Sequence, residues 1–288
     1  AVCSSDLRGE QRGGALEQLK KIIMTISILL VMIISTNVKA ANLTEEEYAR
    51  LRYVFSDARI SIMSDEDATR YLSYDLEHTN KVSKYYKVTE TTNGTITTEV
   101  SKEEATAAAE NNISTRATYH TTSYKNIEIS TTTLNSNGYY VYVTNEWLIT
   151  PRVKSYDVIA MRTDDAIITS GSQKGIQLYT TNGVTRGVEY SYQGTNMVLS
   201  SNGFGISMNL VDAAQGFTCE IEAIVTATSQ WATVYGSYQH AMTAVTLAKS
   251  KSYTISHNGY GKVINFATAV QNDYDNMQGV SISLGYTA

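Results

Sequence analysis

The chain predicts a mainly β fold: an antiparallel two-sheet β-sandwich over about residues 116–288, preceded by a small region of helices and a hairpin. Three observations predict it. Residues 204–210 set Phe204, Ile206, Met208 and Leu210 against Gly205, Ser207 and Asn209 in strict alternation. Residues 217–228 repeat the pattern, with Phe217, Cys219, Ile221, Ala223 and Val225 on one face and Thr218, Glu220, Glu222 and Thr226 on the other. A period of two marks half-buried antiparallel strands. The pairs Asn137-Gly138, Asn182-Gly183, Asn202-Gly203 and Asn258-Gly259 punctuate these runs as turns.

The elements are justified in chain order. Residues 1–19 look unlike the rest; "CSSDL" is what an adapter gives when translated, so this stretch is set aside as an expected artefact or leader. Lys20 and Lys21 then precede an apolar run, 22–35, and a small-residue site ending at Ala40. The run is shorter than the roughly 20 residues of a membrane span. The expectation is a secretory signal peptide over 20–40, a secreted extracellular protein, and no integral span after cleavage.

Residues 41–115 read as an acidic helix and hairpin region, with 8 basic against 14 acidic side chains. Thr44 followed by Glu47 spells a capping box, and Tyr48, Leu51, Val54 and Phe55 recur at helical spacing. Ser64 and Asp67 repeat the device ahead of Tyr71, Leu72 and Leu76. Asn93-Gly94 turns a hairpin, and Ser101 caps a short alanine-rich helix. Few large apolar residues lie here, so the region is expected to be an appendage or removable pro-segment, with a boundary near residue 116.

From there on the pattern is strands. In residues 139–162, Val141 and Val143 share one face, with Trp147 in their parity, while Tyr140 and Tyr142 take the other. Pro151 lacks an N–H and ends that strand. "YDVIAM" is apolar on both faces, as a central covered strand is.

Several function classes drop out. Residues 116–288 hold 10 basic and 11 acidic groups, so nothing attracts a nucleic-acid backbone. No polybasic stretch suits an anionic membrane surface. Outside the suspect first stretch Cys219 stands alone, which excludes an internal disulfide, and its apolar parity points to a buried thiol. His78, His120, His240 and His257 have no zinc spacing. Asp164, Asp165, Asp273 and Asp275 are weak calcium candidates in turns; neither pair matches a calcium loop. No nucleophile elbow or phosphate loop occurs, so no cofactor and no catalytic residue are expected.

The distinctive bias is tyrosine, 21 residues against 4 phenylalanines. Tyrosine offers apolar area with a polar tip, as a glycan- or protein-binding face requires; it is also an ordinary strand former. The candidate binding residues are Tyr140, Tyr142, Trp147, Tyr190, Tyr192, Trp231 and Tyr235.

The run 44–67, "TEEEYARLRYVFSDARISIMSDED", placed directly after a leader, resembles the N-terminal region of uncharacterised secreted proteins of Gram-positive bacteria. The resemblance covers that region, implies an extracellular bacterial origin, and carries no catalytic residues. The leading expectation is a secreted, non-enzymatic β-sandwich that binds a glycan or protein surface. One alternative is a β-pore-forming toxin in which the Ser/Thr-rich stretch 117–133 inserts after loss of a pro-segment. Another is a secreted hydrolase with a carboxylate pair on a strand face.

Overall fold

The computed structural model describes residues 41–91, 94–111, 121–256, 263–276 and 278–285. The leader expected at 1–40, the boundary expected near 116 and the Asn258-Gly259 turn lie outside them.

The chain enters through three short helices. Thr44 caps α1 (Glu45–Leu51): its hydroxyl accepts from the Glu47 N–H at 3.2 Å, and the Glu47 carboxylate accepts from the Thr44 N–H at 2.8 Å. Both partners of the capping box are therefore satisfied. Ser56 and Ser64 cap α2 (Asp57–Ile60) and α3 (Asp65–Leu72) through the same N3 contact. A turn of 3₁₀ helix, Leu76–His78, leads into the first strand.

Strands β1 (Thr79–Thr91) and β2 (Gly94–Val100) form the expected hairpin, followed by α4 (Lys102–Glu110) under its Ser101 cap. Next come β3 (Thr121–Thr133), β4 (Gly138–Ile149), β5 (Tyr156–Asp164), β6 (Ala166–Ile168), β7 (Lys174–Thr181) and β8 (Val184–Tyr190). Then follow β9 (Met197–Ser200), β10 (Gly203–Asn209), β11 (Gln215–Ala227) and β12 (Thr233–Gln239). A four-residue helix α5 (Leu247–Ser250), β13 (Tyr253–Ile255), β14 (Ile264–Phe266), a second such helix α6 (Thr268–Gln271) and β15 (Gln278–Ser283) complete the order.

These strands make the sandwich. One sheet runs β2-β1-β3-β4-β11-β7-β8, with β6 also on β11; the other runs β15-β12-β5-β10-β9. The named pairings are antiparallel. Asn182 and Gly183, both at positive φ (52° and 76°), turn β7 into β8 as a primed two-residue turn does.

The inner faces meet in one apolar core. Val141, Val143, Phe217 and Ile221 from the first sheet pack on Ile159, Met161, Phe204 and Met208 from the second, all buried. Each such side chain contributes about 1.5–3 kcal/mol by leaving water. Cys219 lies here too, its thiol pushed well up by burial and then by Asp157. β5 is central, as its two apolar faces require: Val158 and Ala160 point away from the main core and pack under Tyr253, Ile255 and Phe266 of the β13-β14 hairpin.

Both outer faces are covered: the two apolar faces of β5 anticipate this on the second sheet, and the polar parity of β11 does not on the first. On the first sheet α1–α3 lay Leu51, Phe55, Ile60 and Tyr71 over Tyr140 and Tyr142 of β4. The region expected as an appendage also shares the sheet itself, since β1 pairs with β3 from Thr79↔Thr132 to Glu90↔Thr121. The described residues belong to one compact unit.

Candidate functional site

The cover over the first sheet leaves a cavity of about 580 Å³ between α2–α3 and strands β7, β8 and β11. Its floor is the non-core face of β11. Glu220 and Glu222, two residues apart, point to that face together, as period two dictates. Register brings Tyr142 opposite Glu222 on one side and Ile176 opposite Glu220 on the other. The roof supplies Arg59 from α2, and Asp67 and Tyr71 from α3. Tyr190 and Tyr192 border the cavity at the β8 edge.

The two glutamates have different surroundings. Glu222 is fully engaged: Tyr71 and Tyr140 donate to Oε2 at 2.5 and 2.8 Å, and Arg70 donates to Oε1 at 3.1 Å. Burial and then Glu222 push both tyrosine hydroxyls well above their ordinary range.

Glu220 is 1% exposed and less well served. Its Oε2 lies 3.6 Å from Arg59 Nε, beyond a hydrogen bond. Burial pushes this carboxyl up to about 7; Glu222 and Glu146 add to the rise, and Arg59 and Tyr142 oppose it. For Arg59, burial opposes the charge, but Glu220, Tyr71, Tyr142 and Glu222 outweigh it and hold the guanidinium ionised.

Three buried polar atoms here, Glu220 Oε2, Arg59 Nε and the Tyr142 hydroxyl, make no hydrogen bond of ordinary geometry, although Tyr142 and Arg59 both lie close enough to Glu220 to oppose the rise in its pKa. The arrangement can therefore accept and donate hydrogen bonds at once in a desolvated pocket.

The residues singled out from the sequence scatter. Tyr142, Tyr190 and Tyr192 line this cavity, with the Tyr192 hydroxyl 3.0 Å from Ser170 Oγ. Tyr140 is buried beneath the helices, so it and Tyr142 are not outward-facing as expected: α1–α3 cover them. Trp147 is buried between the sheets and donates from Nε1 to the Tyr238 hydroxyl at 2.9 Å. Trp231 is 74% exposed in the turn before β12. Tyr235 sits under the Arg162 guanidinium, 4.2 Å from its ring centre.

The weak calcium candidates separate as well. Asp164 pairs with Arg162 and Asp165 accepts from Ser229; Asp273 takes Thr243 and Lys249. Asp275 is not a solvated turn residue: it is buried against Lys125. Among the described residues no group of three acidic, histidine or cysteine side chains gathers to hold a metal ion.

Glu220, Glu222 and Arg59 were missed because β11 reads as half-exposed. The available signal was two glutamates at alternate positions with Arg59 and Arg70 on the amphipathic segment that must cover some face.

No protein-family model matches the chain, and no curated protein does. Solved structures similar in part include the collagen-binding domain of a Staphylococcus aureus adhesin, at 9% identity over 52% of this chain and 90% of that one, TM-score 0.29. The collagen-binding domain of the Erysipelothrix rhusiopathiae surface protein RspB matches at 8% identity over 58% and 67%, TM-score 0.27. TmCBM61, solved in complex with β-1,4-galactotriose, matches at 7% identity over 54% and 88%, TM-score 0.19. Similarities this low assign neither family nor ligand.

Proposed function

We propose that this is an exported, non-enzymatic binding protein that takes a hydroxyl-rich ligand, a sugar or short glycan, in the cavity between α2–α3 and β11. One observation supports the reading: Glu220, Arg59 and Tyr142 line that cavity, and Glu220 Oε2, Arg59 Nε and the Tyr142 hydroxyl, though close to one another, make no hydrogen bond of ordinary geometry. Each such atom costs about 1–3 kcal/mol while unpaired. A sugar hydroxyl both donates and accepts, and would satisfy all three. Tyr190 and Tyr192 at the rim add ring surface, and the volume suits a small-molecule site of about 300–1,000 Å³.

The test is titration of the full chain with a panel of mono- and oligosaccharides, followed by calorimetry and saturation-transfer NMR. Binding should weaken at least about tenfold in Glu220→Gln and Arg59→Met, the loss of roughly one charge-assisted hydrogen bond. Absence of any saccharide binding at millimolar concentration would sink the reading.

The hydrolase alternative has one observation in its favour, two glutamates on one face of β11, of which Glu220 has its carboxyl pushed up by burial. Against it, Glu222 already accepts from Tyr71, Tyr140 and Arg70, which leaves a single acceptor site on Oε1 for a substrate. Turnover of chromogenic glycosides with a pH limb near 7, absent in Glu220→Gln, would favour the hydrolase. Membrane insertion by residues 117–133 would have to break two ladders, since β3 is an interior strand between β1 and β4.

A further inference from the structure

Lys125 of β3 and Asp275, just ahead of β15, are each 1% exposed, and Lys125 Nζ stands 2.9 Å from Asp275 Oδ2. The chain between them is 150 residues long. Isolated burial of a lysine–aspartate pair is expensive, because removing both charges from water costs several kcal/mol per ion. Nothing in the cavity site uses this pair.

Its surroundings are more specific than an ion pair needs. The Lys125 ammonium lies 5.1 Å from the Trp147 ring centre and 4.9 Å from that of Tyr238, so two aromatic faces screen it from water. Both rings are held in place: Trp147 Nε1 donates to the Tyr238 hydroxyl, which in turn donates to Asp157. Asp157 also accepts the Ala241 N–H at 2.8 Å and lies 2.9 Å from His240 Nδ1. The His240 backbone N–H, fixed by that contact, donates to Asp275 Oδ1 at 2.7 Å. The Thr97 hydroxyl reaches Asp275 Oδ2 at 3.3 Å.

The two carboxyl oxygens are therefore differentiated. Oδ1 faces a backbone donor, as the oxygen of a tetrahedral intermediate requires. Oδ2 faces the nitrogen and a hydroxyl. Condensation requires the amine, already hydrogen-bonded to one carboxyl oxygen, to close to the near-attack range of about 3–3.5 Å from its carbon.

We propose that Lys125 and Asp275 condense to an intramolecular amide that ties the two sheets together. One proton passes from the Lys125 ammonium to Asp275 Oδ2, giving the neutral amine and acid. The Nζ lone pair then forms the Nζ–Cγ bond while the negative charge gathers on Oδ1 against the His240 N–H. A second proton moves from nitrogen to Oδ2, the Cγ–Oδ2 bond breaks, and water departs. Three ammonium hydrogens become one amide hydrogen and two on water, with no net charge, oxidant or cofactor involved. Exclusion of water by Trp147 and Tyr238 favours the condensed side. Trp147, Tyr238, Asp157 and the His240 ring are positioning residues. The link supplies a covalent cross-brace to a chain whose described residues contain a single cysteine, Cys219.

Mass spectrometry of the full chain tests this directly. The folded protein should be lighter than its sequence by one water, and proteolysis should release one branched peptide joining the Lys125 and Asp275 segments. Lys125→Arg and Asp275→Ala should show their full sequence masses and no branched peptide. Asp275→Asn should condense with loss of ammonia in place of water. Wild-type protein at full mass, with Lys125 and Asp275 recovered on separate linear peptides, overturns the proposal whether or not the variants fold.

Discussion

The Tyr71 hydroxyl donates to Glu222 Oε2 across 2.5 Å, and this bond joins α3 to the middle of β11. Arg70 and Tyr140 complete the same carboxylate, so the roof of the cavity is anchored to its floor through one side chain. Replacing Glu222 by Gln substitutes an amide donor for one acceptor oxygen and leaves Tyr71 or Arg70 unmatched. A loss of about 2–3 kcal/mol is expected, the scale of a hydrogen bond to a charged group. The effect should be local. Amide exchange should quicken across Glu45–Leu72, while β5 and β10 keep their protection. Equal loosening of all strands would mean that the helices are not a separable cover.

Glu220 gives the fold a pH dependence of unusual sign. Its carboxyl titrates near 7 in the folded chain and near 4.5 when unfolded. The folded state thus binds the extra proton between these values, and its stabilising contribution is whole below about 4.5 and gone above about 7. The shift corresponds to something on the order of 3 kcal/mol. Denaturant unfolding at pH 5 and pH 8 should show wild type losing more stability on alkalinisation than Glu220→Gln, whose amide stays neutral throughout. Parallel curves for the two proteins would mean that Glu220 is ionised in the fold at acidic pH.

The two tryptophans should report opposite environments. Trp231 is exposed and Trp147 buried at 3%. Trp231→Phe should leave blue-shifted emission that iodide does not quench. Trp147→Phe should leave red-shifted, quenchable emission and cost about 1–2 kcal/mol, because the Tyr238 hydroxyl loses its donor. Accessible emission from both would show the sheets open in solution.

How far the sequence carried the structure depends on what each residue faces. Capping boxes, primed turns and the alternation in β10 and β11 depend on neighbours a few positions away, and Thr44, Asn182-Gly183 and residues 204–210 were legible for that reason. The sandwich followed from them. The two apolar faces of β5 pointed to a cover over the second sheet, but the cover over the first did not follow, because period two says which side chains share a face and not what lies above it. Tyr140, Tyr142, Glu220 and Glu222 looked solvent-facing until α1–α3 closed over them. Of the candidate cavity, Tyr142, Tyr190 and Tyr192 were picked out by aromatic bias; the charged partners arrive from Arg59 and Arg70, more than a hundred residues earlier in the chain.

Gly236 is one of the points where the two sheets come close. A Cβ built there would fall 2.7 Å from Val143 Cγ1 and 3.1 Å from Cγ2, across the sandwich interface. Gly236 pairs with Met161 in the second sheet, and Val143 with Ile221 in the first, so neither side chain can yield without moving a ladder. Gly236→Ala should cost about 1–3 kcal/mol through overpacking. Val143→Ala alone should destabilise by leaving a cavity. Because the methyl added at one site occupies the space vacated at the other, the double variant should be more stable than the sum of the single losses predicts, with a coupling of about 0.5–3 kcal/mol. Thermal unfolding of the four proteins measures this cycle, and strictly additive losses would show that the sheets are not in contact at this point.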